Sequence, residues 1–155
     1  MQNYLPEELK KFKNISNVYD VYFIDLWGVI HNGINLFDNA ITVLNELKMQ
    51  QKKVVLISNA PRTSNTVRQF LKKLNFDLNL IDLLVTSGDV TKNYIHKNKK
   101  KIFYHLGPVK DKDLFEGISN ISSDVNETQE IICTGLIDEI GGNISDYENI
   151  FKSWI

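Results

Sequence analysis

Cysteine is nearly missing from this chain. Cys133 is the only one in 155 residues, so no internal disulfide can form and a reducing compartment is expected. A dominant charge is missing too. Eighteen Lys and Arg stand against nineteen Asp and Glu, a formal net charge of −1, which offers no global field for nucleic acid or a membrane surface. No run approaches the roughly 18 apolar residues that a membrane-crossing helix needs. Met1–Asn14 is polar with scattered lysines and lacks the apolar centre of a secretory leader. A cytoplasmic protein is expected. No Gly-x-Gly-x-x-Gly follows the first apolar run, which argues against a dinucleotide fold, and there is no repeat or low-complexity tract.

What is present is an alternation of strand and helix signals. Val21-Tyr22-Phe23-Ile24, four apolar residues between polar ones, reads as a buried strand. Asp38 can cap a helix whose apolar face is Ala40, Ile41, Leu44 and Leu47. Val54–Ile57 reads as a second strand. Val67, Phe70, Leu71 and Leu74 follow at i, i+3, i+4 and i+7, the cleanest helical period in the chain. Leu83–Thr86 reads as a third strand, and a short helix runs through Tyr94 and Ile95. The lysines between Lys97 and Lys101 read as a solvated connector, which places a domain boundary there. Beyond it, Ile102–Leu106 and Ile131–Thr134 read as strands, Asp111–Ser119 as a weak helix, and Ser145 with Glu148 as the capping box of a last helix. That helix presents Tyr147, Ile150, Phe151 and Trp154, and the chain stops at Ile155 inside this face. Such alternation implies an α/β fold with a mainly parallel sheet and right-handed crossovers.

Asp25 carries the functional signal. It ends the first strand just before Gly28, at the place where open α/β sheets bind ligands. A lone carboxylate buried there needs a cation, hydrogen-bond donors or a chemical task; the plain alternative is a turn or cap aspartate. The next two strands end in Ser58-Asn59 and Thr86-Ser87. A carboxylate beside a hydroxyl and an amide suits a phosphoryl group, with Asp25 attacking phosphorus and Ser58 and backbone N–H groups holding its oxygens. Mg²⁺, a hard cation that prefers oxygen ligands, could bridge carboxylate and phosphate. Many α/β proteins carry Ser and Asn in such loops, so spacing alone leaves the assignment open.

Phe23-Ile24-Asp25-Leu26-Trp27-Gly28-Val29-Ile30-His31-Asn32-Gly33 resembles motif I of the haloacid dehalogenase-like hydrolases, in the class IIA branch of phosphatases acting on small metabolites. Val54–Arg62 resembles motif II, and Val85–Thr91 the segment that closes the first half of the core. His105–Pro108 and Cys133–Leu136 resemble strand ends of the class IIA cap. The resemblance implies a Rossmann-like core over residues 1–97 and the first part of an α/β C2-type cap over 98–155. It implies that Asp25 is the nucleophile and a Mg²⁺ ligand, that the Trp27 backbone carbonyl is a second ligand, and that Ser58 and the Asn59 N–H bind the phosphoryl group. A small phosphorylated metabolite is the expected substrate, with neither nucleic acid nor membrane as partner.

Two departures qualify this. Most phosphatases of the family place a second aspartate, the general acid, where this chain has Trp27, and an indole N–H cannot do acid–base work at neutral pH. The family's later motifs, a lysine and further acidic metal ligands, do not occur before Ile155. A truncated or split form with little activity is expected, prone to self-association or needing a complementing C-terminal fragment. The alternative is a non-catalytic remnant or binding protein that keeps the fold. Arg62 and His31 are weak candidates for substrate contact. His105 and Cys133 read as structural, His96 has no partner at ligand spacing, and Thr86–Asp89 reads as a helix cap. A phosphorylated receiver domain does not fit, because its acidic pair would follow the first strand and its aspartate the third.

Overall fold

A computed structural model describes residues 11–137, 143–152 and 154. The expectation for Ile155 falls outside the described residues. The chain divides into two compact units, Met1–Ser58 with Phe70–Val85, and Asn59–Gln69 with Thr86–Ile155.

The first unit is built on strands β1 (Val21–Asp25), β2 (Lys53–Ser58) and β3 (Leu83–Thr86), in the order β1-β2-β3. β1 and β2 run parallel, from Val21 opposite Lys53 to Asp25 opposite Ile57. Helix α1 (Asp38–Met49) joins them, and α2 (Ser64–Lys73) leads on towards β3. Asp38 is the first residue of α1 and makes no side-chain cap; its charge sits on the positive end of the helix dipole instead. Past the end of α2, Asn75 takes a left-handed φ of 61° and Phe76 N–H reaches back to Leu71 O at 3.0 Å, which closes the helix.

Strand pleating sends alternate side chains to opposite faces. Tyr22, Val54, Leu56 and Leu84 are buried, as are Leu44 and Leu47 of α1 and Leu71 of α2. Val21, Phe23, Ile57 and Leu83 are exposed. The reading of residues 21–24 as a wholly buried strand is thus corrected: Tyr22 is buried and its neighbours Val21 and Phe23, on the opposite side of the pleat, are exposed.

The second unit holds a second sheet with β4 (Phe103–Leu106) between β5 (Ile121–Ser122) and β6 (Glu130–Cys133), both parallel to it. β5 is too short to leave a sequence signature. The three-turn helix α3 (Ser87–Lys97) starts from Thr86, whose hydroxyl accepts from Asp89 N–H at 3.1 Å, the expected cap. The expected helix at 111–119 is a 3-10 helix, Val109–Phe115, entered from Pro108. Lys101 is not merely a solvated lysine: it pairs with Glu130 and lies over the Tyr94 ring, 5.8 Å from its centroid. Cys133 is exposed, against the expectation of a core thiol, since it points away from the covered side of β6. The last helix, α4, spans Ile144–Lys152, so Ser145 lies inside its first turn rather than at its cap, and Glu148 pairs with Lys152 at 2.8 Å. Among the described residues no helix is long and apolar enough to cross a membrane.

Candidate active site

Asp25 is the last residue of β1 and is exposed. Its Oδ1 accepts the Leu26 N–H at 2.8 Å. The chain then folds tightly on itself. Gly28, at φ +79°, donates its N–H to His31 O at 2.8 Å, and Leu26 O accepts from Ile30 at 2.8 Å. This left-handed turn favours a residue without Cβ. Trp27 is 68% exposed on the loop, with its indole Nε1 3.7 Å from where a Cβ on Gly33 would stand. No carboxylate takes its place in the loop.

His31, expected as a weak substrate contact, lies buried beneath the loop. Its ring meets Phe70 edge-on at 5.3 Å, and its Nδ1 accepts the Gly33 N–H at 3.0 Å. That bond puts the proton of the neutral ring on Nε2. Burial lowers the His31 pKa from 6.5, partly opposed by the negative charge of Asp25. In the second unit His105 is lowered in the same way, by burial first, with Asp111 opposing and Lys112 assisting. His105 Nε2 lies 2.8 Å from Thr134 Oγ1 and its ring rests on Phe115. Both histidines bind protons more readily unfolded than folded. Their stabilising contribution is therefore complete above about pH 6.5 and is lost as pH falls below it. Thermal unfolding followed from pH 7.5 to 5 should show a decline beginning near 6.5, smaller in His31→Phe; a decline unchanged by that substitution excludes His31 as a contributor.

Ser58, at the end of β2, is buried one residue beyond Ile57, the partner of Asp25. The parallel register therefore brings the Asp25 carboxylate and Ser58 to the same end of neighbouring strands. Asn59 follows and opens the loop to α2. That loop is fastened within the second unit. Ala60 O accepts the Gly88 N–H at 3.1 Å, and Ser64 N–H donates to both Asp89 oxygens at 3.1 Å. A Cβ on Gly88 would stand 2.3 Å from Arg62 O, so only glycine lets the two segments approach this closely. Arg62 Nε lies 3.5 Å from Oδ1 of Asp111, whose side chain is 3% exposed.

Gly88, Asp89 and Asp111 escaped the sequence reading as supports of this loop. The Ser-Gly-Asp run signals a helix cap and nothing more, and Asp111 carries no local signal at all. Removing Arg62 would leave the buried Asp111 charge without its cation, whereas Asp111→Asn leaves a polar acceptor beside a half-exposed guanidinium. Arg62→Ala should destabilise the protein by about 2 kcal/mol, and Asp111→Asn by about half as much, in urea unfolding. Equal losses in the two variants would show that the pair is not asymmetric in this way.

For a hard divalent cation, the Asp25 carboxylate and the Trp27 backbone carbonyl are oxygen donors of the right type. Among the described residues no three His, Cys, Asp or Glu side chains converge as a complete metal cage. This donor set fits Mg²⁺, which commonly uses one or two carboxylates, waters and the phosphate itself.

Comparisons with known proteins bear on this geometry. A family model described as haloacid dehalogenase-like hydrolase matches residues 22–119. No curated protein gave a significant match. A haloacid dehalogenase-like hydrolase from Brucella suis 1330 is 29% identical with a TM-score of 0.81, over 96% of this chain and 56% of that one. A protein described as a possible sugar phosphatase from Cytophaga hutchinsonii is 21% identical with a TM-score of 0.70, over 96% and 54%. A 4-nitrophenylphosphatase from Thermotoga maritima is 20% identical with a TM-score of 0.63, over 90% and 51%. The chain spans about half the length of these structures.

Proposed function

This chain belongs to the haloacid dehalogenase-like hydrolases, and on that premise we propose that it binds the phosphoryl group of a small phosphorylated metabolite at the tips of β1 and β2. The carrying observation is the register that sets Ser58 one residue past the partner of Asp25. In this reading an Asp25 oxygen attacks phosphorus, the ester oxygen leaves, and water later hydrolyses the aspartyl-phosphate. Ser58 and the Asn59 N–H hold the phosphoryl oxygens. Bound Mg²⁺ would supply positive charge to the phosphate, held by Asp25 and the Trp27 carbonyl. His31 and Arg62, the weaker candidates for substrate contact, also hold the two loops by the contacts described above. We place the core at residues 1–97 and the start of a cap at 98–155, in a cytoplasmic protein with a single cysteine.

A second reading is favoured by Trp27. Without a general acid in the loop, the chain can keep phosphoryl binding while turning over slowly or not at all. A phosphate-ester panel with and without Mg²⁺, run on the wild type and Asp25→Ala, separates the two. Mg²⁺-dependent hydrolysis lost in the variant supports the enzyme; no difference supports the binding protein.

A further inference from the structure

The second unit holds a cavity of about 480 Å³, within the range of about 300–1,000 Å³ usual for small-molecule sites. Strand pairing accounts for its place. β5 stops at Ser122, the partner of Tyr104, while β4 runs on through His105 to Leu106. The cavity opens where a longer β5 would run, so Tyr104 and His105, on opposite faces of β4, both line it. This is the carboxyl end of parallel strands, where open α/β sheets bind ligands. The walls are built in advance. Phe115 lies against the His105 ring at 4.6 Å, and Tyr104 meets Trp154 edge-on at 5.5 Å. At the rim, Ser122 Oγ accepts the Asp124 N–H at 3.0 Å and donates to Glu127 at 2.9 Å.

Three polar groups of this lining have no partner among the described residues: the Lys112 ammonium, the Ser123 hydroxyl and Nδ1 of His105. The His105 ring is held by its other nitrogen. Nε2 lies 2.8 Å from Thr134 Oγ1, and Gly107 leaves room for that hydroxyl, since a Cβ there would strike it. Among the described residues no buried side-chain polar atom lacks a partner, so Nδ1 is open to solvent. We propose that this cavity binds a small planar aromatic carboxylate, with its ring against Phe115 and Tyr104 and its oxygens on Lys112, His105 Nδ1 and Ser123. Aromatic walls favour a flat ring, and the ammonium gives the carboxylate a charge-assisted hydrogen bond. The carboxylate selects the tautomer with the proton on Nδ1, and the Thr134 hydroxyl then donates to Nε2. Burial disfavours the charged form of His105, so Lys112 supplies the one full positive charge. That matches a single carboxylate and leaves a phosphate dianion poorly neutralised. Nothing in this site comes from Asp25, Ser58 or a metal, so the inference goes beyond phosphoryl binding and does not depend on it.

The test titrates benzoate into the 155-residue chain, followed by calorimetry and by the nitrogen resonances of the His105 ring. One-to-one binding is expected, with the ring proton settling on Nδ1. Benzamide, which lacks the charge, should bind about tenfold more weakly or worse. Cyclohexanecarboxylate, which lacks the flat ring, should bind about threefold more weakly or worse. Lys112→Gln, at an exposed position, should cut benzoate affinity about tenfold or more and leave thermal unfolding unchanged. Asp25→Ala, or saturating Mg²⁺ with orthovanadate, should leave benzoate binding as it was. No saturable binding of benzoate, equal binding of the three probes, or an affinity indifferent to Lys112→Gln overturns the proposal. So does competition from orthovanadate, which would make the cavity part of the phosphoryl site. Each readout is binding in the second unit, so absence of phosphatase activity leaves the result intact.

Discussion

On β-glycerophosphate the purified protein is expected to show no more turnover than its Asp25→Ala variant. An alkoxide is a poor leaving group and has to be protonated as it departs. The loop that would carry the acid carries Trp27 instead, whose indole N–H does not ionise usefully near neutral pH. General-acid assistance is typically worth 10²- to 10⁴-fold, and that is the size of the expected deficit. Trp27→Asp should recover a measurable part of it. With p-nitrophenyl phosphate, whose leaving group needs little protonation, the same substitution should change the rate far less. Vigorous hydrolysis of β-glycerophosphate by the wild type, removed by Asp25→Ala, would mean that another group supplies the proton. His31 would then be the first to examine, because it lies under the same loop with its proton on Nε2 and within the field of Asp25.

Binding should survive where turnover does not. Mg²⁺ with a phosphoryl mimic such as orthovanadate is expected to raise the melting temperature, since a ligand that binds only the folded form stabilises it by mass action. At a hundredfold excess over Kd the gain is about 2.7 kcal/mol, which for a chain of this size corresponds to roughly 5–10 °C. Asp25→Ala removes the carboxylate proposed above to meet both metal and phosphorus and should abolish the shift. Asp25 is exposed and its Oδ1 bonds only the adjacent Leu26 N–H among the bonds described above, so the variant should fold. An equal shift in both proteins would place the ligand elsewhere. A shift that needs the mimic but not Mg²⁺ would leave Ser58 and the loop amides as the phosphoryl site without a metal.

The sequence by itself determined the α/β class, the three strands that end in Asp25, Ser58 and Thr86, and the family. These are local matters. Each strand is a short apolar run, each helix an apolar period, and the family resemblance rests on contiguous residues around Asp25 and Ser58. Thr86 as the cap of α3 was legible for the same reason, because a cap is made three residues away. What lay beyond local reading was decided by partners far along the chain. Phe23 looks at least as apolar as Tyr22, yet Tyr22 is buried and Phe23 is not, because neighbouring residues of a strand face opposite sides of the sheet and only tertiary packing decides which side is covered. Cys133 was misread for the same physical reason. His31 and Arg62 carry the chemistry of ligand-binding side chains, but only the fold shows that Gly33 and Phe70 engage the first and Asp111 the second. Gly88 is a glycine because the Arg62 backbone passes where its Cβ would be, a requirement written across 26 positions of sequence and satisfied only in three dimensions.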